Sequence, residues 1–341
     1  MPLTQRRKGI LRLVVHEYIE TASPVGSKAI HDKYALPASP ATIRNEMQAL
    51  EGDGLLTHPH TSAGRVPSDE GYRFFVESLM GQVDLSGEEK ATIRHQFFQT
   101  APELDEWLDL AAVLLARSLG LLAIVTPPRA RQLRVRQLQL IELQELMALL
   151  IVVLQEARVV KQLVTLPKGA EASDLPRLAN RMNEYVSGLD SAELHAEATP
   201  TDPVEAAVLE TLTRVLDEEA VRESDPRIEG FSAVLAQPEF QADRSGALEV
   251  MSLVDRHAME RIIPGATGGT ESGVRIVIGE ENEADELRNC TVVFAPYRAD
   301  PQMTGFMGVL GPTRMPYERS VASVGYMTDL LQEMMERVYG Y

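Results

Sequence analysis

The stretch that most constrains the fold runs from Ser39 to Phe75, SPATIRNEMQALEGDGLLTHPHTSAGRVPSDEGYRFF. Ser39 is an N-cap residue, Pro40 suits the first helical position and Gly52 to Gly54 supply a stop, so the run opens with one short helix. Within it Ile43, Met47 and Leu50 recur at i, i+4 and i+7 as a single apolar stripe. The opposite side presents Ala41, Thr42, Asn45 and Gln48, with Arg44 at its margin. These are small or hydrogen-bonding side chains of the kind that approach base edges in a DNA major groove. LLTHPHTSAGRVPS then reads as a hairpin with Ser62-Ala63-Gly64-Arg65 at its tip, a wing. Upstream stand an amphipathic helix from about Thr4 to Thr21, a break at Ser23-Pro24-Val25-Gly26 and a short helix from Ser27, its cap, to Tyr34. Three helices and a wing are the order of a winged helix-turn-helix.

On such a head Thr42, Arg44, Asn45 and Gln48 are the candidates for base contacts, Arg suiting guanine and Asn or Gln adenine. Arg65 at the wing tip suits the minor groove, and Lys28, Arg73 and the cluster Arg6, Arg7, Lys8 suit phosphates. His58 and His60 share one face of an extended strand, but no carboxylate or cysteine cluster stands beside them, so a packing or phosphate role is preferred to a metal.

Charge qualifies this reading. The 341 residues carry 33 Lys+Arg and 50 Asp+Glu, a formal net charge of −17. That balance argues against a protein that coats nucleic acid without specificity. Residues 1–80 hold nine basic and nine acidic side chains, so the whole excess lies in the rest of the chain. Affinity for DNA then has to come from a specific operator and from pairing two heads, because one recognition helix reads too few base pairs to be selective. Cys290 is the only cysteine, which leaves no intrachain disulfide and no cysteine-based zinc cluster. The longest apolar run, Leu146–Leu154, is short of the roughly 18 residues a membrane span needs, and no signal-peptide pattern follows the basic start. A cytoplasmic protein without a membrane partner is expected. Nucleotide-binding glycine motifs, a nucleophile elbow and HExxH are all missing, so neither a cofactor nor an enzyme is expected.

Behind the head, Ser86-Gly87-Glu88-Glu89 is a capping box opening a helix to about Gln99. A second helix from Glu103 to Ser118 aligns Leu104, Trp107, Leu108, Ala111 and Leu115. The runs LLAIVT, LRVRQLQLIEL, LMALLIVVL and VVKQLVTLP read as four strands, the second with a phase slip that suggests a bulge. Asp174–Leu189 returns to helix. An acidic helix from Asp202, a short strand at Phe231–Leu235, a helix from Asp243 to Ile263 and a flexible turn at Gly265–Gly269 follow. Three more strands, at Val274–Ile278, Cys290–Pro296 and Thr304–Leu310, lead to a closing helix from Glu318 to Tyr339. The fold class is α+β and multidomain: a winged helix-turn-helix, then one sheet with helices on its faces, interrupted once.

The run SPATIRNEMQALEGDGLLTHPHTSAGRVPSDEGYRFFV resembles the signature of the HrcA family, the heat-inducible transcription repressors of bacterial chaperone operons. GVLGPTRMPYERSVASV and the IGEEN run at Ile278–Asn282 are similar to further parts of that family's pattern. The resemblance implies a homodimer on double-stranded DNA, at an inverted-repeat operator of chaperone genes, that needs chaperonin to stay active and releases the operator when heat diverts it. It also implies a GAF-like domain carrying a dimerising insertion. The boundaries expected are 1–80 for the DNA-binding domain, 81–118 for linking helices, 119–192 and 269–341 for the two parts of the GAF-like domain, and 193–268 for the insertion. Because GAF-like folds often bind small molecules, a metabolite-responsive regulator with a ligand in that domain is the alternative.

Overall fold

The computed structural model describes residues 3–59, 64–81, 84–130, 133–144, 146–155, 159–167, 174–222, 226–253, 262, 273–298 and 303–339. Three helices open the chain: α1 (Gln5–Thr21), α2 (Ser27–Tyr34) and α3 (Pro40–Gly52). Caps fix where two of them start. The Thr4 hydroxyl accepts the Arg7 N–H at 3.3 Å, and the Ser39 hydroxyl accepts that of Thr42 at 3.1 Å. α2 differs from expectation, since its N-cap is Gly26, which has no side chain to cap with, and Ser27 is already helical. Ile43, Met47 and Leu50 are buried with Ile10, Leu11, Val14 and Ile30, as the apolar stripe requires. An antiparallel hairpin follows, β1 (Leu56–Thr57) with β2 (Val66–Pro67). Then comes α4 (Asp69–Phe74), which runs into a π-helical turn at Phe75–Leu79.

α5 (Gly87–Gln99) starts at the expected capping box of Ser86 and Glu89, and α6 (Leu104–Leu119) ends on Gly120 in the left-handed conformation. β3 (Leu122–Val125) and β4 (Arg129–Ala130) follow. Three longer strands, β5 (Val135–Gln144), β6 (Met147–Leu154) and β7 (Val159–Thr165), form an antiparallel sheet of their own, with the expected bulge between Val135 and Gln137. Helices α7 (Leu175–Val186), α8 (Ser191–Glu197) and α9 (Pro203–Arg222) supply Met182, Val186, Leu194, Val208 and Leu212 to the core on one face of that sheet.

The chain then returns through β8 (Arg227–Glu229), α10 (Phe231–Leu235), α11 (Pro238–Ala242) and α12 (Arg244–Leu253). Phe231–Leu235 is therefore a helix and not the expected strand. A five-residue apolar run fits either state, and here Gly230, at φ +96°, turns the chain out of β8. A Cβ at Gly230 would lie 2.2 Å from the Leu121 carbonyl oxygen, so only glycine fits. Of the helix expected from Asp243 to Ile263, residues 254–261 and 263 lie outside the described residues, as does the turn expected at 265–269. β9 (Arg275–Ile278), β10 (Cys290–Arg298), β11 (Met303–Pro312) and α13 (Tyr317–Tyr339) complete the order.

The larger sheet has the order β8-β3-β11-β10-β9, with β4 pairing with the start of β11. It is buried on both sides, alternate residues facing opposite ways. Ala123, Val125, Val293 and Val309 pack with Trp107 and Leu115 of α6 and Leu331 of α13, whereas Leu122, Ile124, Val292 and Leu310 pack with Phe240, Val250 and Leu287. The three opening helices share the first of these two clusters. Cys290 begins β10 fully buried, and burial pushes its thiol up to about 12. Among the described residues no helix is long and apolar enough to cross a membrane.

Two compact units result. One comprises Met1–Pro128, Pro226–Pro301 and Gly305–Tyr341, and the other Arg129–Asp225 with Gln302–Thr304. The interruption of the larger sheet therefore spans 129–225 and not 193–268, and β5–β7 do not join β3. Periodicity identified β3 and β5–β7 as strands but carries no record of which sheet each enters. The junction is marked instead by Pro127-Pro128, which have no N–H to donate to a ladder.

A buried carboxylate organises the inserted unit. Glu205, 1% exposed, accepts the Tyr185 hydroxyl at 2.6 Å, Arg181 at 3.1 Å and the Thr201 N–H at 3.1 Å. Burial works against its charge, but the Thr201, Tyr185 and Arg181 donors outweigh this and hold the carboxyl down at about 2. A depressed folded-state value stabilises the protein above the unfolded value of 4.5 and ceases to as pH falls toward about 2. Glu205→Ala is expected to cost about 1–3 kcal/mol near neutral pH, by removing the acceptor that Tyr185, Arg181 and Thr201 share. Chemical denaturation should show this difference between wild type and variant shrinking between pH 4.5 and 2, the interval of the titration.

Candidate nucleic-acid interface

α3 buries Ile43, Met47 and Leu50 and turns the other side outward: Ala41, Arg44, Asn45 and Gln48 are exposed. Helical spacing puts Ala41, Asn45 and Gln48 on one ridge with Arg44 beside it. No hydrogen bond or ion pair within the chain engages Arg44, Asn45 or Gln48 among the described residues, so their polar groups are free for an outside partner. Thr42 is different. It is half-buried, its N–H is taken by the Ser39 hydroxyl and its own hydroxyl lies 2.9 Å from the same atom. Its first duty is the helix start.

The basic residues divide. Lys28 is exposed in the first turn of α2. Lys8 is half-buried on α1. Arg7 donates to Glu46 at 2.9 Å and to Asp53 at 3.4 Å, tying α1 to α3, and Arg6 approaches the same Glu46 at 3.6 Å while staying 62% exposed. Arg73 does not face outward as a phosphate contact requires. Its guanidinium donates to Glu281 at 2.7 Å and to the Ile276 carbonyl at 2.8 Å.

Arg65 corrects the expectation most sharply. Its backbone exchanges hydrogen bonds with Val25, at 2.8 and 2.9 Å, which adds a bridge between the hairpin and the loop before α2. A Cβ on the neighbouring Gly64 would come within 2.5 Å of the Val25 carbonyl, so the close approach depends on glycine. The Arg65 guanidinium meets Glu51 at 2.7 Å, near the end of α3. Glu51 also takes His58 Nδ1. Arg65 thus braces the hairpin root on α3, and residues 60–63, including His60, Ser62 and Ala63, lie outside the described residues. Glu51 was not singled out by sequence reasoning. Its signal is position alone, one residue past the last buried apolar site of the helix. Among the described residues no group of His, Cys, Asp and Glu could hold a metal ion.

A cleft of about 320 Å³ beside α1 and α13 is lined by His16, Phe75 and Tyr317 among others. Three of its four acidic side chains have partners already: Glu20 with Lys33 at 2.7 Å, Asp84 with Lys90 at 2.5 Å and Glu89 with Arg319 at 3.0 Å. It therefore presents no free charge to a ligand from these three.

Residues 105–321 match the family model described as the HrcA protein C-terminal domain. The chain is 40% identical to the heat-inducible transcription repressor HrcA of Roseiflexus castenholzii, covering 99% of this chain and 96% of that protein. It is also 40% identical to the protein of the same name from Herpetosiphon aurantiacus, over 100% of this chain and 97% of the relative. A crystal structure of a hypothetical protein shares the fold, with TM-score 0.58 and 22% identity over 98% of this chain and 99% of the other. With an outward, unengaged helix face at its head and likeness running the length of both chains, this protein belongs to the HrcA family of heat-inducible transcription repressors.

Proposed function

We infer that this repressor binds, as a homodimer in the cytoplasm, an inverted-repeat operator upstream of chaperone genes. In this reading residues 3–79 form a winged helix-turn-helix whose α3 enters the major groove. The larger sheet is a GAF-like body, and the unit at 129–225 is its dimerising insertion. The observation that carries the reading is the free ridge of α3, with Arg44, Asn45 and Gln48 unengaged among the described residues and Ile43, Met47 and Leu50 turned inward. Thr42 joins them at the helix start, and Lys28, Arg6 and Lys8 supply phosphate contacts. Arg7, Arg65 and Arg73, held by carboxylates, act from within the head.

Dimerisation has support of its own. The face of the β5-β6-β7 sheet away from the helices carries Met147, Leu149, Ile151 and Val153 along its central strand, with Ile141 and Leu149 and Leu163 side by side in register. Ile141 is 46% and Leu163 51% exposed. An antiparallel sheet with one wet face alternates apolar and polar residues, and the central strand of this one is apolar on both. Such a face marks a contact surface. It carries few charges, so a second copy related by a two-fold axis meets it without repulsion.

Dependence on chaperonin is part of this reading. Titration of an inverted-repeat operator in a mobility-shift assay, with and without chaperonin and ATP, tests the whole reading. Saturable binding of two protomers per repeat, strengthened by chaperonin, is the expected outcome. Binding indifferent to the repeat removes the operator reading, and indifference to chaperonin removes the heat-sensing part.

A further inference from the structure

Two runs of the body lie far from the recognition helix in sequence, yet both touch the head. The first is Ile278–Asn282, at the end of β9. Asn282 is buried and its amide donates to the carbonyls of Gly279, Leu287 and Cys290 at 2.8, 3.1 and 3.1 Å, which fixes the corner. Gly279 has φ +52°, and a Cβ there would stand 1.8 Å from an Asp69 carboxylate oxygen. That close approach lets the Glu280 N–H donate to Asp69 at 3.0 Å. Glu281, held by the Ile278 N–H at 2.8 Å, receives Arg73. Asp69 and Arg73 are four residues apart, so one face of α4 is gripped at both ends.

The second run is Gly311–Tyr317. Arg314, 11% exposed, donates to Glu239 at 2.6 Å, to Gln237 at 2.9 Å and to the carbonyl of Ile19 in the last turns of α1 at 2.7 Å. Tyr317 lies with Tyr72 and Phe75 at ring separations of 5.4 and 6.4 Å. None of these contacts touches the ridge of α3. They hold α1 and α4 at two separate points by directional bonds, which resist rotation where apolar packing alone permits sliding.

We propose that the Ile278–Asn282 corner and Arg314 form a socket that fixes the orientation of the head on the body, making Gly279, Arg73 and Arg314 positioning residues that set which half-site spacing the dimer accepts. This rests on the reading of the protein as a dimeric reader of an inverted repeat. DNA turns once in about 10–10.5 base pairs, so five extra pairs between half-sites put the second one on the opposite side of the duplex. Heads locked to their bodies cannot follow. Freed heads can.

The experiment compares the full-length wild type with the double variant Arg73→Gln/Arg314→Gln and, separately, with Gly279→Ala, which attacks the same corner through the Asp69 contact. Each is titrated by fluorescence anisotropy on a single half-site, on the inverted repeat, and on the repeat with five base pairs inserted at its centre. The wild type is expected to lose about 100-fold or more on insertion, the loss of simultaneous engagement. Both variants should lose no more than about tenfold while binding the single half-site within about twofold of wild type. A variant that keeps the full wild-type loss on insertion overturns the socket. So does half-site binding weakened more than about tenfold in both variants, since the residues then serve the head's fold or its DNA contact. A wild type that shows no preference for the repeat over the half-site instead defeats the underlying dimer reading, and the half-site control makes that outcome recognisable.

Discussion

Leu149→Asp is expected to split the proposed dimer and leave the protomer folded. Leu149 sits at the centre of the open face of the inserted unit, between Ile141 on β5 and Leu163 on β7. The face beneath, with Leu150 and Val152 buried, is untouched by the change, so the melting temperature should stay near that of wild type. When two copies face each other the substitution brings a carboxylate from each into an apolar seam. The cost is several kcal/mol per ion, more than the seam regains elsewhere. Sedimentation at micromolar concentration should show a monomer. Loss of the second head's effective concentration weakens binding to the inverted repeat by on the order of 10²–10⁴-fold, while a single half-site is bound as before. A Leu149→Asp protein that sediments as a dimer would place the seam on some other surface.

Asn45→Ala should cost about 1–3 kcal/mol for each head, and a dimer bears it twice. Asn45 lies at the middle of the exposed ridge, and among the described residues no group satisfies its amide. The substitution removes donor and acceptor together, so it relaxes the choice of base at one position of each half-site. Lys28→Ala provides the contrast. A phosphate contact carries no sequence information, so its loss should weaken every operator variant alike and lower the salt slope by about one. Binding to a panel of single-base operator variants at several salt concentrations separates the two. Asn45→Ala weakening all of them uniformly would move that residue from the bases to the backbone.

The features that proved legible are those in which chemistry is local. Caps at Ser39 and Ser86, the stripe of Ile43, Met47 and Leu50, and the bulge after Val135 all depend on neighbours within a few residues, and all appear where local pattern places them. Long-range partners were not legible. Arg65 and Arg73 read as free cations because their acceptors, Glu51 and Glu281, are 14 and 208 residues away in the chain, and nothing in composition pairs them. The same limit displaced the insertion. Strands β3 and β5 look alike in sequence, and only the sheet they enter distinguishes them. Phe231–Leu235 failed for another reason: a five-residue apolar run fits strand or helix alike, and the positive-φ Gly230 before it turns the chain out of β8.

The ion pairs of the head have a consequence for life on a chromosome. Of the nine basic side chains in residues 1–80, Arg6, Arg7, Lys33, Arg65 and Arg73 have carboxylate neighbours in their own chain, which leaves Lys8, Arg12, Lys28 and Arg44 without one among the described residues. Genomic DNA offers about 10⁶–10⁹ competing sites, and a head with many uncommitted cations would be soaked up by them. Internal neutralisation, with the acidic body behind it, keeps such a molecule from lingering on random sequence. A small number of copies then suffices to keep an operator occupied, and withdrawing that small number is enough to open it.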